Sequence, residues 1–405
     1  MTGRKWRASG LGAIGLVGLL LFACSAQEGP QDVEGDGVWP SEEWPTSTAA
    51  AEGINQAAID SLVADIEAGD YGLVDHFLLI RHGRVVADHH FTHDYAAIAA
   101  QYDTTEHQYN YDHPAWHPYY RDTDLHTLQS VTKSVTSAAL GIAIDEGLIE
   151  GVSVPALPYF DDYEHDTSDP RKRAITLEDF LTMRSGIEWN TLGPYGSGVH
   201  STDHLEASER WIQFVLDQPI DADPGVVYEY NDGVSVLIGK VLREATGQRA
   251  DRWAAERLFD PIGITDFYWK ITPDGEADTE GGLYLSTHDL ARIGYLFLRG
   301  GEWDGQRIIS EEWVRASTTP VVLDVAPDND RVDVGYGYQW WVPDRDGQRS
   351  LVFAGNGYGG QFVLVAPDYD IVAVFNGWNI HGGDYRSTYR ALQERILPAT
   401  QTAGN

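Results

Sequence analysis

Apolar positions along the chain change period several times, and each change marks an element. Between Asn55 and Ile66, residues Ala58, Ile59, Leu62, Val63 and Ile66 recur at helical spacing, which predicts a helix. Residues 75–89 hold two β-like runs around His82-Gly83, a hairpin signal. The apolar run 138–144 follows Leu128–Ser137 and predicts a helix that ends at Gly147. Residues 175–186 carry an N-cap with acids in the first turn and a Ser-Gly stop, and helices are expected at 207–216, 233–246, 287–299 and 310–317. The tail returns to strands at 337–342, 361–366 and 371–376, then closes with a helix from Tyr385 to Ile396. No internal repeat interrupts this order. Strands at both ends with helices between predict an α+β fold, an α/β sandwich. Its antiparallel sheet is built from the N- and C-terminal segments and flanked by helices, with a mostly helical insertion at roughly 126–285. A site belongs between those layers.

The N-terminus reads as a targeting segment. Arg4, Lys5 and Arg7 precede an apolar stretch, Leu11 to Phe22, that is short for a membrane span. The following Leu21-Phe22-Ala23-Cys24-Ser25 resembles a bacterial lipobox, and Cys24 is the chain's one cysteine. An exported chain with a lone cysteine forms no internal disulfide, which suits a covalent role for Cys24. The expectation is a lipoprotein signal peptide at 1–24, lipidation of Cys24, and a flexible acidic tether at 25–50 whose end Trp44 tacks onto the domain. A domain at 51–400 and a tail at 401–405 follow. The protein is then exported to the bacterial cell envelope, at the periplasmic face or cell surface, and meets the membrane only through its lipid anchor. A plain secretory signal with an incidental cysteine is the other reading.

Composition narrows the function classes. In 405 residues, 42% apolar content supports a sizeable core. The 28 Lys and Arg face 62 Asp and Glu, a formal charge of −34. Such acidity excludes the basic surface that nucleic acids need and opposes recruitment to anionic lipid by charge.

Three stretches carry chemistry. Ser130-Val131-Thr132-Lys133 opens the 128–144 helix, and residues three apart share a helix face. A serine hydroxyl needs a base to become a nucleophile, and a lysine serves if burial lowers its pKa. The bland alternative is a serine N-cap beside an ordinary helix lysine. Pro224 to Asp232 places Tyr228 and Tyr230 on a turn before a helix, where a tyrosine of lowered pKa can shuttle protons; the alternative is a core aromatic with a capping Asp232. Phe353 to Gln361 contains Gly355, Asn356, Gly357, Tyr358 and Gly359 before a strand, so its backbone can approach a substrate and offer an N–H to an oxyanion; a plain Gly-rich turn is the alternative. The Tyr- and His-rich stretch 92–124, with Trp116, reads as a loop rimming a substrate pocket. A metal site from its His107, His113 and His117 is set aside because spacing is irregular and Pro114 and Pro118 interrupt any helix.

The order of these stretches resembles the serine β-lactamase and penicillin-binding protein superfamily, most of all the class C β-lactamase-like esterases and 6-aminohexanoate-dimer hydrolases. The likeness covers roughly residues 55–397. It includes Ser130-Val131-Thr132-Lys133-Ser134, Leu181-Thr182-Met183-Arg184-Ser185-Gly186, Gly281-Gly282-Leu283-Tyr284-Leu285-Ser286 and Tyr336-Gly337-Tyr338-Gln339-Trp340-Trp341. The resemblance implies a β-lactamase/transpeptidase-like fold, Ser130 as nucleophile, Lys133 as its helper, and Tyr230 as general acid/base. It implies an oxyanion hole from the backbone N–H groups of Ser130 and Tyr358, a pocket including Asp232, Asn356, Gly357 and Gly359, and no metal or organic cofactor. Two departures stand out. Asp232 stands where the family's Y-x-N box has Asn; a carboxylate there raises Tyr230's pKa or pairs with Lys133. Gly355-Asn356-Gly357 lacks the cation that grips a carboxylate-bearing β-lactam or peptide. A shift of register to Tyr228 stays open. The expected function is hydrolysis of a small ester or amide through an acyl-serine; the alternatives are a penicillin-recognising D-alanyl peptidase or β-lactamase, and a non-catalytic envelope-binding lipoprotein.

Overall fold

The structure, a computed structural model, describes residues 38–40, 43–94, 97–98, 123–164, 166, 168–192, 197–323, 325, 334–343, 352–380 and 383–401. Cys24 and the signal segment, Trp116, and His107, His113 and His117 lie outside the described residues. The predicted hairpin is formed by β1 (Val74–Arg81) and β2 (Arg84–His90). Its turn residues His82 and Gly83 have φ of 50° and 73°, the left-handed pair that a two-residue turn matched to strand twist requires. Five strands come from the other end of the chain: β3 (Val334–Tyr336), β4 (Trp341–Pro343), β5 (Phe353–Gly357), β6 (Gln361–Ala366) and β7 (Ile371–Gly377). The sheet order is β2-β1-β7-β6-β5-β4-β3, and every neighbouring pair is antiparallel. The two ends of the chain meet at β1 and β7, where Phe77 lies opposite Phe375 with rings stacked 4.7 Å apart.

The apolar strands read as continuous runs because both faces of the sheet are covered. Leu78, Ile80, Val363, Val365, Val372 and Val374 belong to one core. Their neighbours Phe77, Leu79, Phe362, Leu364, Ala373 and Phe375 belong to the other. On the second face lies α1 (Gln56–Glu67), capped by the Asn55 side chain, with Ile59, Leu62 and Ile66 inward beside Leu392 and Ile396 of the C-terminal helical segment. The first face carries α2 (Val131–Asp145), α3 (Asp232–Thr246) and α4 (Thr287–Leu298). Every residue of α2 from Val131 to Ala143 is buried, so the helix at the centre of this layer has no wet face.

Three expectations change. The 337–342 stretch is not one strand: β3 ends at Tyr336, residues 337–340 turn, and β4 starts at Trp341. A Cβ on Gly337 would sit 2.1 Å from the Ser317 carbonyl oxygen, and Gln339 turns the chain at φ 63°. The alternating aromatics of this stretch therefore mark a buried hairpin turn rather than an extended run. The 207–216 helix starts only at Trp211, after a separate helix, Ser201–Ala207. The end of the expected tether is part of the domain: Thr46 bridges Val85, and buried Trp44 donates from Nε1 to the His288 carbonyl at 3.2 Å.

Because Gly337 has no room for a side chain, Gly337→Ala must displace backbone, an overpacking cost of about 1–3 kcal/mol. Thermal melting followed by circular dichroism is expected to show Tm lowered by a few degrees; an unchanged Tm would show that this turn yields freely.

Candidate active site

The start of α2 is shaped by backbone strain and by neighbours. Gln129 has φ 48°, and successive amides of Val131, Thr132 and Lys133 donate three residues back, to Leu128, Gln129 and Ser130. Ser130 occupies the N-cap position, yet its side chain makes no capping hydrogen bond. The hydroxyl is thereby left for other work, and the bland N-cap reading fails. It accepts from Lys133 Nζ at 2.9 Å.

Lys133 is only 1% exposed, and a buried ammonium demands partners. It has three besides Ser130: Asp232 Oδ1 at 2.8 Å, the Glu280 carbonyl oxygen at 2.6 Å and Glu280 Oε2 at 3.3 Å. Burial by itself would push Lys133 down, but Asp232, Tyr230 and Glu280 outweigh it and hold its pKa well above the ordinary value. This corrects the expectation that burial makes Lys133 a free base. Its ion pairs with Asp232 and Glu280 favour the ammonium, so positive charge is what it brings to the site. Asp232 is corrected too. It is 1% exposed, it accepts from Thr202 Oγ1 at 2.5 Å on its second oxygen, and it stands behind Lys133 rather than lining a pocket. Of the two outcomes weighed for this carboxylate, both occur: it pairs with Lys133 and it raises Tyr230.

Tyr230 joins the group, and the rings of Tyr228 and Tyr230 both meet Tyr336 edge-on. Ser130 is among the groups that act on the Tyr230 hydroxyl, and Lys133 Nζ lies 5.3 Å from the centre of its ring. The ring stacks on Trp341 at 5.7 Å. Burial raises the Tyr230 pKa most, the Lys133 charge opposes that, and Asp232 and Glu280 add to it. The Tyr228 ring meets Tyr336 edge-on at 5.6 Å. Asn231 caps α3 by accepting from the Val234 amide at 3.1 Å, which fixes where Tyr230 and Asp232 emerge on either side of it.

The glycine-rich stretch forms β5 and its turn. A Cβ on Gly357 would lie 2.2 Å from the Leu128 carbonyl, and one on Gly355 would lie 2.9 Å from Val131 Cγ1. Strand β5 is thus pressed against the first turn of α2, with Tyr358 just beyond the point of closest approach. The Tyr358 hydroxyl donates to the Ile380 carbonyl at 2.8 Å, Asn356 is half-buried opposite Phe362, and Gly359 turns the chain at φ 87°.

Several residues that hold this site were given no role by the sequence. Ser134 Oγ donates to the Gln339 carbonyl at 2.7 Å, Ser235 Oγ donates to Gln339 Oε1 at 3.0 Å, and Gln339 Nε2 donates to the Phe180 carbonyl at 3.0 Å. This left-handed glutamine ties α2, α3 and the 339 turn together. Behind Glu280 sits a buried acid group. Carboxylate oxygens of Glu206, Asp278 and Glu280 lie within 4.8 Å of one another, Asp278 Oδ1 accepts from the Glu280 and Gly281 amides, and Lys270 Nζ reaches Asp278 at 3.1 Å and Glu206 at 3.8 Å. The only hint of Glu280 in the sequence was its place beside the Gly281–Ser286 phrase, and nothing marked Thr202 or Glu206.

Burial raises Glu280 to about 7 and Glu206 well above its ordinary value. A carboxyl whose folded pKa exceeds its unfolded one favours the folded state at low pH and loses that advantage as pH rises through the folded value. Glu280→Gln removes this dependence. The Tm difference, variant minus wild type, is expected to grow by a few degrees between pH 5 and 8; a difference that stays flat would show that Glu280 is ionised throughout.

A family model described as Beta-lactamase matches residues 64–393. The 6-aminohexanoate-dimer hydrolase of Paenarthrobacter ureafaciens is 25% identical over 274 residues, covering 62% of this chain and 65% of that protein. The lovastatin esterase of Penicillium rubens is 28% identical over 194 residues, covering 44% and 47%. The chain spans less than two-thirds of the length of the curated relatives it matches. Among solved structures, a family VIII carboxylesterase superposes with a TM-score of 0.61 at 16% identity, covering 88% of this chain and 98% of that one, a likeness of fold. With the family model spanning most of the sequence and this fold around Ser130, the chain belongs to the Beta-lactamase family.

Proposed function

We propose that the protein is a serine hydrolase that cleaves a small ester or amide through an acyl-Ser130 intermediate. The observation that supports this most is the convergence of Ser130 Oγ, the locked Lys133 ammonium and the Tyr230 hydroxyl. In this reading acylation runs through the fraction of Tyr230 that is ionised, a phenolate that Lys133 favours against burial and Asp232; it takes the Ser130 proton as Oγ attacks the substrate carbonyl carbon. The phenol then protonates the leaving alcohol or amine as its bond to carbon breaks. In the second half Tyr230 takes a proton from water, hydroxide attacks the acyl carbon, and the proton returns to Ser130 Oγ as the acid departs. Backbone N–H groups of Ser130 and Tyr358 hold the oxyanion, a role supported by the tight seating of Gly357 on Leu128. Two relatives are named for amide and ester hydrolysis. No lysine, arginine or histidine occurs in 353–361, and a substrate without a carboxylate fits that wall better than a β-lactam does. The reading extends to export and anchoring through lipidated Cys24, for which metabolic labelling with a fatty acid, lost in Cys24→Ala, is the check.

A fluorophosphonate probe is expected to label wild type and not Ser130→Ala, and a panel of short esters and amides to be turned over faster than a chromogenic cephalosporin. Absence of labelling in wild type would overturn the hydrolase reading.

Tyr230→Phe is expected to lower kcat/KM by about 10²–10⁴-fold while Tyr228→Phe changes it little. The reverse pattern would assign the proton shuttle to Tyr228.

Asp232 raises Tyr230, so removing its charge favours the phenolate. Asp232→Asn is expected to move the rising alkaline limb of kcat/KM down by about one pH unit. A limb that stays put or moves up would show that Tyr230 ionisation does not govern acylation.

A further inference from the structure

At the β2 edge of the sheet, three imidazoles surround one carboxylate. His76 on β1 lies directly opposite His90 on β2, and Asp88 lies two residues before His90 on the same face of the edge strand. The fourth group, His288, comes from the first turn of α4, which packs on that face. His76 Nε2 is 2.7 Å from Asp88 Oδ1, His90 Nε2 is 3.8 Å from the same oxygen, and His288 Nε2 is 3.0 Å from Asp88 Oδ2. One ligand atom from each of His76, Asp88 and His90 fits within a span of 4.8 Å. The His76 ring centre lies 3.6 Å from that of His90 and 5.7 Å from that of His288.

We propose that His76, Asp88, His90 and His288 form a zinc site that pins the edge strand β2 to the start of α4. Three imidazole nitrogens and one carboxylate oxygen are a borderline-soft donor set suited to a tetrahedral Zn²⁺. With metal–ligand distances of about 2.0–2.2 Å, ligand atoms in such a site lie about 3.3 Å apart. The observed carboxylate–imidazole separations of 2.7, 3.0 and 3.8 Å bracket that value; His76, Asp88 and His90 already offer ligand atoms within 4.8 Å of one another, and His288, held on the other Asp88 oxygen, turns inward to complete the set. The 3.8 Å separation is too long for a hydrogen bond, and an ion between the two groups gives His90 a partner. Each imidazole binds through its Nε2 lone pair with its proton on Nδ1. The histidines sit on three different elements, β1, β2 and α4, so one ion ties an edge strand of the sheet to a helix above it. The site is separate from Ser130, and its zinc has a structural part.

The metal-stripped full-length protein, titrated with zinc chloride in a calorimeter and analysed for bound metal after dialysis, tests this. Wild type is expected to retain one zinc per chain from these ligands and to gain Tm as zinc rises. Binding at this site is expected to weaken at least tenfold in both His90→Ala and His288→Ala, whose side chains are partly exposed and whose loss spares the core. Cobalt in place of zinc is expected to give tetrahedral visible bands in wild type that both variants lose. Ester turnover is expected to stay unchanged with and without zinc. Failure of wild type to bind zinc, or equal zinc affinity in both variants, would overturn the site. A loss of turnover on zinc removal would overturn its structural role.

Discussion

A lysine ammonium buried to 1% exposure cannot stand alone, and its neutralisation governs how this molecule is put together. Lys133 draws Asp232 from the first turn of α3, Glu280 from the segment before Leu283, and Ser130 from one turn back on its own helix. Segments up to 147 residues apart in sequence are thereby brought to one point. The same pairing sets the chemistry, since a cation fixed beside the Ser130 hydroxyl and the Tyr230 ring is available to stabilise any negative charge that forms there. The charge balance is local: Lys133 is answered by Asp232 and Glu280, Lys270 by Asp278 and Glu206.

Around this point the scaffold is tight. Thr132 Oγ1 accepts from the Leu283 amide, Thr136 Oγ1 donates to the Thr279 carbonyl, and Thr279 Oγ1 donates to the Ser235 carbonyl. These hydroxyls satisfy backbone groups where helix α2 is buried on every side. Gln339 completes the lattice through both its backbone and its amide. Gly355 and Gly357 let β5 close on the other side. The relative positions of hydroxyl, ammonium and phenol are therefore a result of packing, held by elements that cannot shift separately.

The carboxylate at position 232 links the family pattern to what is particular to this chain. It repeats no role already filled: Thr202 holds one oxygen and Lys133 the other. Its charge strengthens the grip on the ammonium and makes the neighbouring phenol harder to ionise. Both effects follow from one negative charge in a dry place. The stretch 353–361, which includes Asn356, holds no lysine, arginine or histidine.

Much of this was legible from residue order. Period-two and period-3.6 patterns located β1, β2, β6, β7, α1, α3 and α4 to within a few residues, because both sheet faces and the inward helix faces are dry. The Ser130–Lys133 spacing followed from helix geometry alone. Local pattern failed at 337–342, where buried aromatics alternate through a turn that Gly337 and Gln339 make possible against Ser317. It failed also for Lys133, whose protonation depends on charges delivered by Asp232 and Glu280, for Thr202 and Glu206, which touch the site without any motif, and for Gln339, whose motif gave no hint of its role. His76, Asp88, His90 and His288 lie on three elements, and only the strand register and the seat of α4 bring them together. The sequence by itself determined which segments are strands and helices and which serine and lysine stand together, because those depend on near neighbours. The tertiary structure alone decided charge states and support, because these depend on groups distant in sequence and on the exclusion of water between them.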